Sequence, residues 1–351
     1  MRPFNAPSDT STTTDRSGIG NMEPYLELEQ ALGEWIGNPN VVVCSSGTAA
    51  LHLALEALEL PAGSEVLVPE FTMVACARAV TLSGLSARFV DCYEDDLLMD
   101  VERTREAVQA SQGEATALMP VHVYGRRCDM TSLSDLAEQE ELMVVEDLAE
   151  AHGIAPHPLT DAACWSFYRN KIVAGEEGGA VAFRSKYHAE IARQLRCLGF
   201  VNGGQYLHTP RGHNYRMSNT HASLILQSLD RIEENTSRRE EVVSWYDELI
   251  PEERRMPARG ACWVYDLRLT GVNVGQVVQR LIREGVPARC GFRPMSEQPE
   301  YRSHDFTDLV AYQSSSEVLY LPVNPEMSRE DVRRVCEALV MVLNQIDSST
   351  T

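Results

Sequence analysis

Lysine is nearly absent. The 351 residues hold two, Lys171 and Lys186, so that 29 of the 31 basic residues are arginine. Arginine serves a solvated surface as well as lysine does, but its guanidinium keeps its proton and cannot form an imine. Codon preference accounts for a general shortage of lysine and leaves open whether a surviving amine is needed where it stands. Cysteine pairs are missing as well: the nine cysteines, Cys44, Cys76, Cys92, Cys128, Cys164, Cys197, Cys262, Cys290 and Cys336, are dispersed without CxxC spacing. That excludes the usual zinc and disulfide patterns, so no metal site is predicted and the cysteines read as small buried hydrophobes. No segment approaches 18 consecutive apolar residues, and the N-terminus has no basic patch ahead of an apolar core. Neither a spanning helix nor a secretory signal is predicted, and the chain is expected in the cytoplasm. Positive charge is scarce overall. A formal net charge of −20 disfavours a chain-wide grip on nucleic acid or an anionic membrane, while a local basic site stays open.

Apolar content of 44% with 23% charged residues suits a folded chain, and the length suits a large domain plus a smaller one. The polar stretch Ser8 to Gly20 and the end Ser348 to Thr351 lack apolar periodicity. Residues 1–22 are therefore expected as a flexible segment and 347–351 as a tail. From Val41 to Arg184, β-branched runs alternate with helical stretches, the pattern of a mainly parallel sheet covered by helices. Strands are predicted at Val41 to Cys44, Glu65 to Val68, Ala87 to Val90, Thr116 to Val121, Leu142 to Val145, Cys164 to Phe167 and Ala180 to Phe183. Helices are predicted at Thr48 to Leu58, Met73 to Leu82, Val101 to Gln109, Met130 to Glu138 and Tyr187 to Leu198, followed by one long helical stretch from Asn219 to Leu249. After Pro251 the pattern restarts as strand, helix, strand, strand, helix, the order of a smaller α+β domain. The expected division is 23–250 and 251–346.

Three stretches carry candidate chemistry. Ser45-Ser46-Gly47-Thr48-Ala49-Ala50-Leu51 lies between a strand and a helix, where small residues and free N–H groups can cradle a phosphate; an ordinary N-cap after a tight turn is the plainer reading of this stretch alone. Val144 to His152 ends an apolar strand in Asp147, which presents a carboxylate at the sheet's C-terminal edge or is a solvated loop acid. Cys164 to Lys171 places an amine beyond a buried strand and ahead of Gly175-Glu176-Glu177-Gly178-Gly179. A partly desolvated amine there is nucleophilic; a lysine snorkelling over apolar neighbours is the plainer alternative. Each stretch alone is ambiguous.

In this order, SSGTAAL, PEFTMVA, PVHVYGRRCDM, VVEDLAEAHG, SFYRNK, GEEGG and GHNYRMS resemble the DegT/StrS family of pyridoxal-phosphate enzymes, best known as sugar aminotransferases, from about Glu23 to Leu343. The resemblance implies an α/β fold: an aspartate-aminotransferase-like (fold type I) large domain with a mixed, mainly parallel sheet, a small C-terminal α+β domain, and a homodimer with shared active sites. It implies pyridoxal 5'-phosphate as cofactor, with Lys171 as the Schiff-base lysine and proton shuttle and Asp147 as partner of the pyridine nitrogen. Glu150 falls near the cofactor ring oxygen. Gly47, Thr48, Ala49 and Ser166 match phosphate-binding positions, and Asn214 matches an asparagine that reaches the phosphate from the other subunit. Because position 171 is lysine, the family's histidine-substituted dehydratases are disfavoured.

The sequence also departs from the family. Met73 stands where an aromatic ring usually covers the cofactor face, the stretch between His152 and Asp161 is short, and Arg169 is unusual. These changes surround the substrate. Transamination is the leading expectation, with glutamate or glutamine as small-molecule donor and a keto group of a nucleotide-sugar-like acceptor. Arg169, Arg216 and Arg293 are candidates for binding an anionic substrate group. A decarboxylase for an amino-acid-modified nucleotide or nucleobase is the alternative, and a non-catalytic cofactor-binding regulator the third reading.

Overall fold

Period-two burial along the central strands shows how the large domain is built. The computed structural model describes residues 23–201, 206–302 and 307–350; the expected flexible segment 1–22 lies outside them. In β1 (Val41–Cys44), Val42 and Cys44 enter one core while Val41 and Val43 enter another on the opposite face. A strand buried on both faces must be apolar throughout, which is why these runs read as continuous hydrophobic stretches. The chain continues through α2 (Gly47–Ala57), β2 (Glu65–Pro69), α3 (Ala75–Leu82), β3 (Ser86–Val90), α4 (Val101–Ala110), β4 (Ala115–Leu118), α5 (Met130–Gln139), β5 (Met143–Asp147), β6 (Ala162–Ser166) and β7 (Gly179–Phe183). The seven strands lie in the order β1-β7-β6-β5-β4-β2-β3. All neighbours pair in parallel except β7, which runs antiparallel to both β1 and β6. The mixed, mainly parallel sheet agrees with expectation.

Helix α1 (Pro24–Ile36) precedes the sheet and was not expected from the sequence. Pro24 fits the first turn, and Gly37 closes the helix in the left-handed region at φ 75°. Its Leu28 and Leu32 bury against β1 and α7 (Asn219–Leu229). Lys186 opens α6 (Lys186–Arg196), where its ammonium stands 3.7 Å from Glu190 one turn on.

The long stretch after Asn219 is two helices, α7 and α8 (Ile232–Leu249), parted at Asp230 and Arg231. They serve different cores. Ala222, Ile225 and Leu229 of α7 bury with α1 and β1, whereas Val242 and Tyr246 of α8 join the small unit. That unit comprises β8 (Tyr265–Arg268), α9 (Val274–Arg283), β9 (Arg289–Cys290), α10 (Val310–Ser315), β10 (Val318–Leu321) and α11 (Arg329–Thr350). Its sheet has the order β8-β10-β9, antiparallel throughout. Packing thus reaches back into α8, across the division expected at 250 and 251, and α11 continues through most of the expected tail. Among the described residues no helix is long and apolar enough to cross a membrane.

Candidate active site

Parallel strands that end together leave their backbone groups facing one edge, and the loops that follow form a crevice there. Here β5 ends at Asp147 and β6 at Ser166, and the antiparallel β7 begins at Gly179 directly opposite Ser166. A cavity of about 380 Å³ opens at this edge, lined among others by Ser46, Gly47, Thr48, Met73, Asp147, Ala149, Glu150, Ser166 and Lys171. Eight of the nine residues expected around the cofactor, Asn214 being the exception, either line this cavity or, as Ala49 does, lie in the first turn of α2 beside it.

The end of the cavity at the α2 start is built by close packing. Ser46 caps α2, its hydroxyl accepting the Ala49 N–H at 3.2 Å, so this helix start, directed at the crevice, has the free N–H groups and dipole that favour an anion. A Cβ on Gly47 would sit 2.7 Å from Cβ of Ser166, and one on Gly179 would sit 2.2 Å from the Ser46 carbonyl oxygen. Only glycine lets the helix start, the β6 end and the β7 start meet.

At the centre, the Lys171 ammonium lies 3.6 Å from Oε1 of Glu150 and 3.8 Å from the centroid of the Trp263 ring, whose indole N–H donates to the Asn170 carbonyl at 2.8 Å. Burial pushes the Lys171 amine below the usual lysine range, although Glu150 and Asp147 act to hold its proton. Burial likewise raises Glu150, against the pull of Lys171 and of the Tyr124 N–H that donates to its other oxygen at 2.8 Å. Both partners are therefore driven toward their neutral forms. Such an amine is available both as a nucleophile and as a proton carrier.

Asp147 is held on two sides. Its Oδ1 accepts the Ala149 N–H at 2.9 Å and its Oδ2 accepts the Cys76 thiol at 3.2 Å. Burial, reinforced by the Asp147 charge, pushes the Cys76 thiol well above its usual range, so it remains a donor. His152 lies beneath: its Nδ1 accepts the Val173 N–H at 2.9 Å, and burial, helped by Lys171, lowers it to about 3. It is a neutral structural imidazole that fixes the loop after Lys171.

Several expected residues stand elsewhere. Arg169 is exposed, faces Glu176 at 3.8 Å and stacks over Tyr168; Arg293 is exposed and faces Glu297 at 3.4 Å. Neither lines the cavity, nor do the exposed Arg216 and Asn214. The guanidinium that does line it is Arg289 of β9, paired across the small sheet with Tyr320. Trp263, Tyr320, Phe292 and Arg289 form a wall brought in by the small unit, which sequence reasoning missed. They lie far from the motifs in the chain, and only the aromatic and cationic residues beside predicted small-domain strands hinted at them. Met73 lines the cavity although 52% exposed, so a thioether stands at the position where an aromatic ring was expected. Cys76, read as a plain hydrophobe, is an Asp147 ligand.

The residues fit pyridoxal phosphate: an amine, a carboxylate held by fixed donors, and an anion-binding helix start share one small cavity. Comparison with known proteins agrees. The DegT/DnrJ/EryC1/StrS aminotransferase family pattern matches residues 9–340. The GDP-perosamine synthase of Caulobacter vibrioides is 33% identical, covering 94% of this chain and 92% of its own, and that of Escherichia coli O157:H7 is 30% identical, covering 93% and 92%. Among solved structures, a DegT DnrJ EryC1 StrS aminotransferase from Brucella abortus superposes with a TM-score of 0.81 at 26% identity, covering 91% of this chain and 90% of that one. A putative sugar aminotransferase from Streptococcus pneumoniae, in its PMP form, has the same fold, with a TM-score of 0.87 at 23% identity and coverage of 95% and 94%. These relatives favour transamination over the decarboxylase reading. The chain belongs to the DegT/DnrJ/EryC1/StrS aminotransferase family and is an enzyme whose cofactor is pyridoxal phosphate.

Proposed function

We propose that this enzyme moves an amino group from glutamate or glutamine to a keto group on a nucleotide-linked sugar. The observation that carries the reading is the buried Lys171 amine facing Glu150 in a cavity that Asp147 also lines, in a chain that aligns almost end to end with GDP-perosamine synthases. Bound there, pyridoxal phosphate supplies an electron sink for the carbon bearing the amine. Asp147 would accept the pyridinium N–H of the bound cofactor and keep that proton in place. The α2 start and Ser166 would hold its phosphate. Lys171 would take the proton from the donor's α-carbon at Nζ and give it up at a different carbon, on the cofactor, with Glu150 and the Trp263 face steadying the ammonium in between. Arg289, the one arginine lining the cavity among the described residues, suits a donor carboxylate or an acceptor phosphate.

Purified enzyme given glutamate alone is expected to release about one equivalent of 2-oxoglutarate per site and no carbon dioxide, and then to aminate a nucleotide-linked keto sugar. Carbon dioxide without oxoglutarate would refute the reading. Lys171→Ala is expected to abolish both oxoglutarate release and the visible absorbance of the lysine-linked cofactor; yellow colour that persists would remove Lys171 from its role.

In this reading the enzyme works in the cytoplasm as a homodimer, with Asn214 and Arg216, exposed and off their own chain's cavity, completing the site of a second copy. Mixing Lys171→Ala subunits with Asn214→Ala subunits tests it. Random pairing leaves half of the dimers mixed, each with one whole site, so activity should return to about a quarter of the unmodified level. Failure to recover above the two parents would show that the sites are not shared.

A further inference from the structure

Helix α2 does more than present its first turn to the cavity. One turn on, His52 and Glu56 stand four residues apart and so share a face, and the segment after α6 lays His213 against them. The ligand-capable atoms of His52, Glu56 and His213 all lie within 4.8 Å of one another. Nε2 of His213 meets one Glu56 oxygen at 2.5 Å, while Nε2 of His52 faces the other at 3.8 Å.

His52 is the informative member. The residue is buried, and among the described residues its Nε2 has no hydrogen-bond partner, even though the Leu82 carbonyl and the Glu56 carboxylate both face the ring. Its Nδ1 meets the Tyr215 hydroxyl at 3.1 Å. With Nδ1–H donated to that hydroxyl, the lone pair on Nε2 points at a carboxylate, an arrangement that a cation between them satisfies.

We propose that His52, Glu56 and His213 bind a divalent cation of the zinc type, with water as the fourth ligand and Tyr215 orienting His52 from behind. Two imidazoles and a carboxylate are borderline donors that suit zinc or cobalt better than magnesium or calcium. A tetrahedral ion with bonds of about 2.1 Å holds its donors about 3.4 Å apart. The 3.8 Å gap already matches; the 2.5 Å contact opens by a small swing of His213, whose partly exposed side chain also gives the ion a way in. The ion would tie the helix that bears Gly47 and Thr48 to the segment that bears Asn214. The inference rests on this cluster alone and stands whether or not the proposed substrate is right.

Chelator-treated full-length enzyme titrated with Co²⁺ is the test. Tetrahedral nitrogen and oxygen ligation is expected to give visible bands at one ion per chain, without the near-ultraviolet charge-transfer band of thiolate ligation, and Zn²⁺ should displace them. His213→Gln and Glu56→Gln should each abolish the bands while retaining the cofactor's own absorbance, which reports folding. Tyr215→Phe should weaken binding by about 10- to 100-fold. Unchanged Co²⁺ uptake in His213→Gln, bands carrying thiolate charge transfer, or no uptake by the unmodified enzyme would each overturn the proposal.

Discussion

Lys171 and His152 answer to the same burial in opposite functional senses. Lys171 is pushed toward a reactive neutral amine, and His152 toward a permanently neutral imidazole that accepts the Val173 N–H. The second shift has a measurable consequence. In the unfolded chain His152 takes a proton below about pH 6.5, whereas in the folded enzyme it stays neutral until about 3. Its stabilising contribution is therefore complete above pH 6.5 and falls as the pH drops through that window. His152→Gln keeps an acceptor for Val173 but cannot titrate. Urea unfolding of the two proteins between about pH 6 and pH 4 should show the unmodified enzyme losing about 1.4 kcal/mol more per pH unit. Parallel curves would mean that His152 titrates normally. At this scale the sequence was informative where a residue's neighbours in the chain are also its neighbours in space, as for Asp147 and Glu150. It was silent on Arg289 and Trp263, which come from over a hundred and about ninety residues beyond Lys171, respectively, and on Cys76, whose thiol meets Asp147 across 71 residues.

Among the elements, strands and their order of appearance were legible because parallel strands buried on both faces leave plain apolar runs. Helix ends were legible where a cap marks them: Ser46, Asp100, Asp129 and Ser185 each accept a first-turn N–H. The break at Asp230 and Arg231 left no such mark, having neither glycine nor proline, because it arises from α7 and α8 turning to separate cores. Helix α1 did carry a signal, with Tyr25, Leu28, Leu32 and Trp35 at helical spacing behind a proline. The junction of α2, β6 and β7 has the least room to give. Gly179→Ala would drive a methyl into the Ser46 carbonyl, with backbone on both sides of the clash. A loss of about 1–3 kcal/mol is expected in urea unfolding, together with weaker uptake of pyridoxal phosphate by absorbance titration. Lost stability with unchanged uptake would separate this glycine from the phosphate end.

For the whole molecule, the two packed units are joined by a buried ionic cluster. Arg126, in the loop before α5, donates to both oxygens of Asp266 on β8 at 3.0 and 2.8 Å, and Arg259 donates to the same carboxylate. Burial alone would raise Asp266, but the two guanidiniums outweigh it and hold the carboxyl below its usual range. Asp266→Asn leaves two buried cations without their counter-charge, and a cost of about 3–5 kcal/mol is expected from chemical denaturation. A cost below about 1 kcal/mol would show that the cluster relaxes into water. Because the same small unit delivers Arg289, Trp263 and Tyr320 to the cavity, loosening the joint should also impair turnover with substrate.

The scarcity of lysine has a practical consequence at this scale. The two ε-amines differ sharply in access, Lys171 with its side chain 10% exposed inside the cavity and Lys186 79% exposed on α6. Lys186 is therefore the ε-amine that amine-directed reagents meet on the described surface. Each chain can therefore be tethered, labelled or cross-linked at Lys186, beyond the end of β7 opposite the one that meets the cavity.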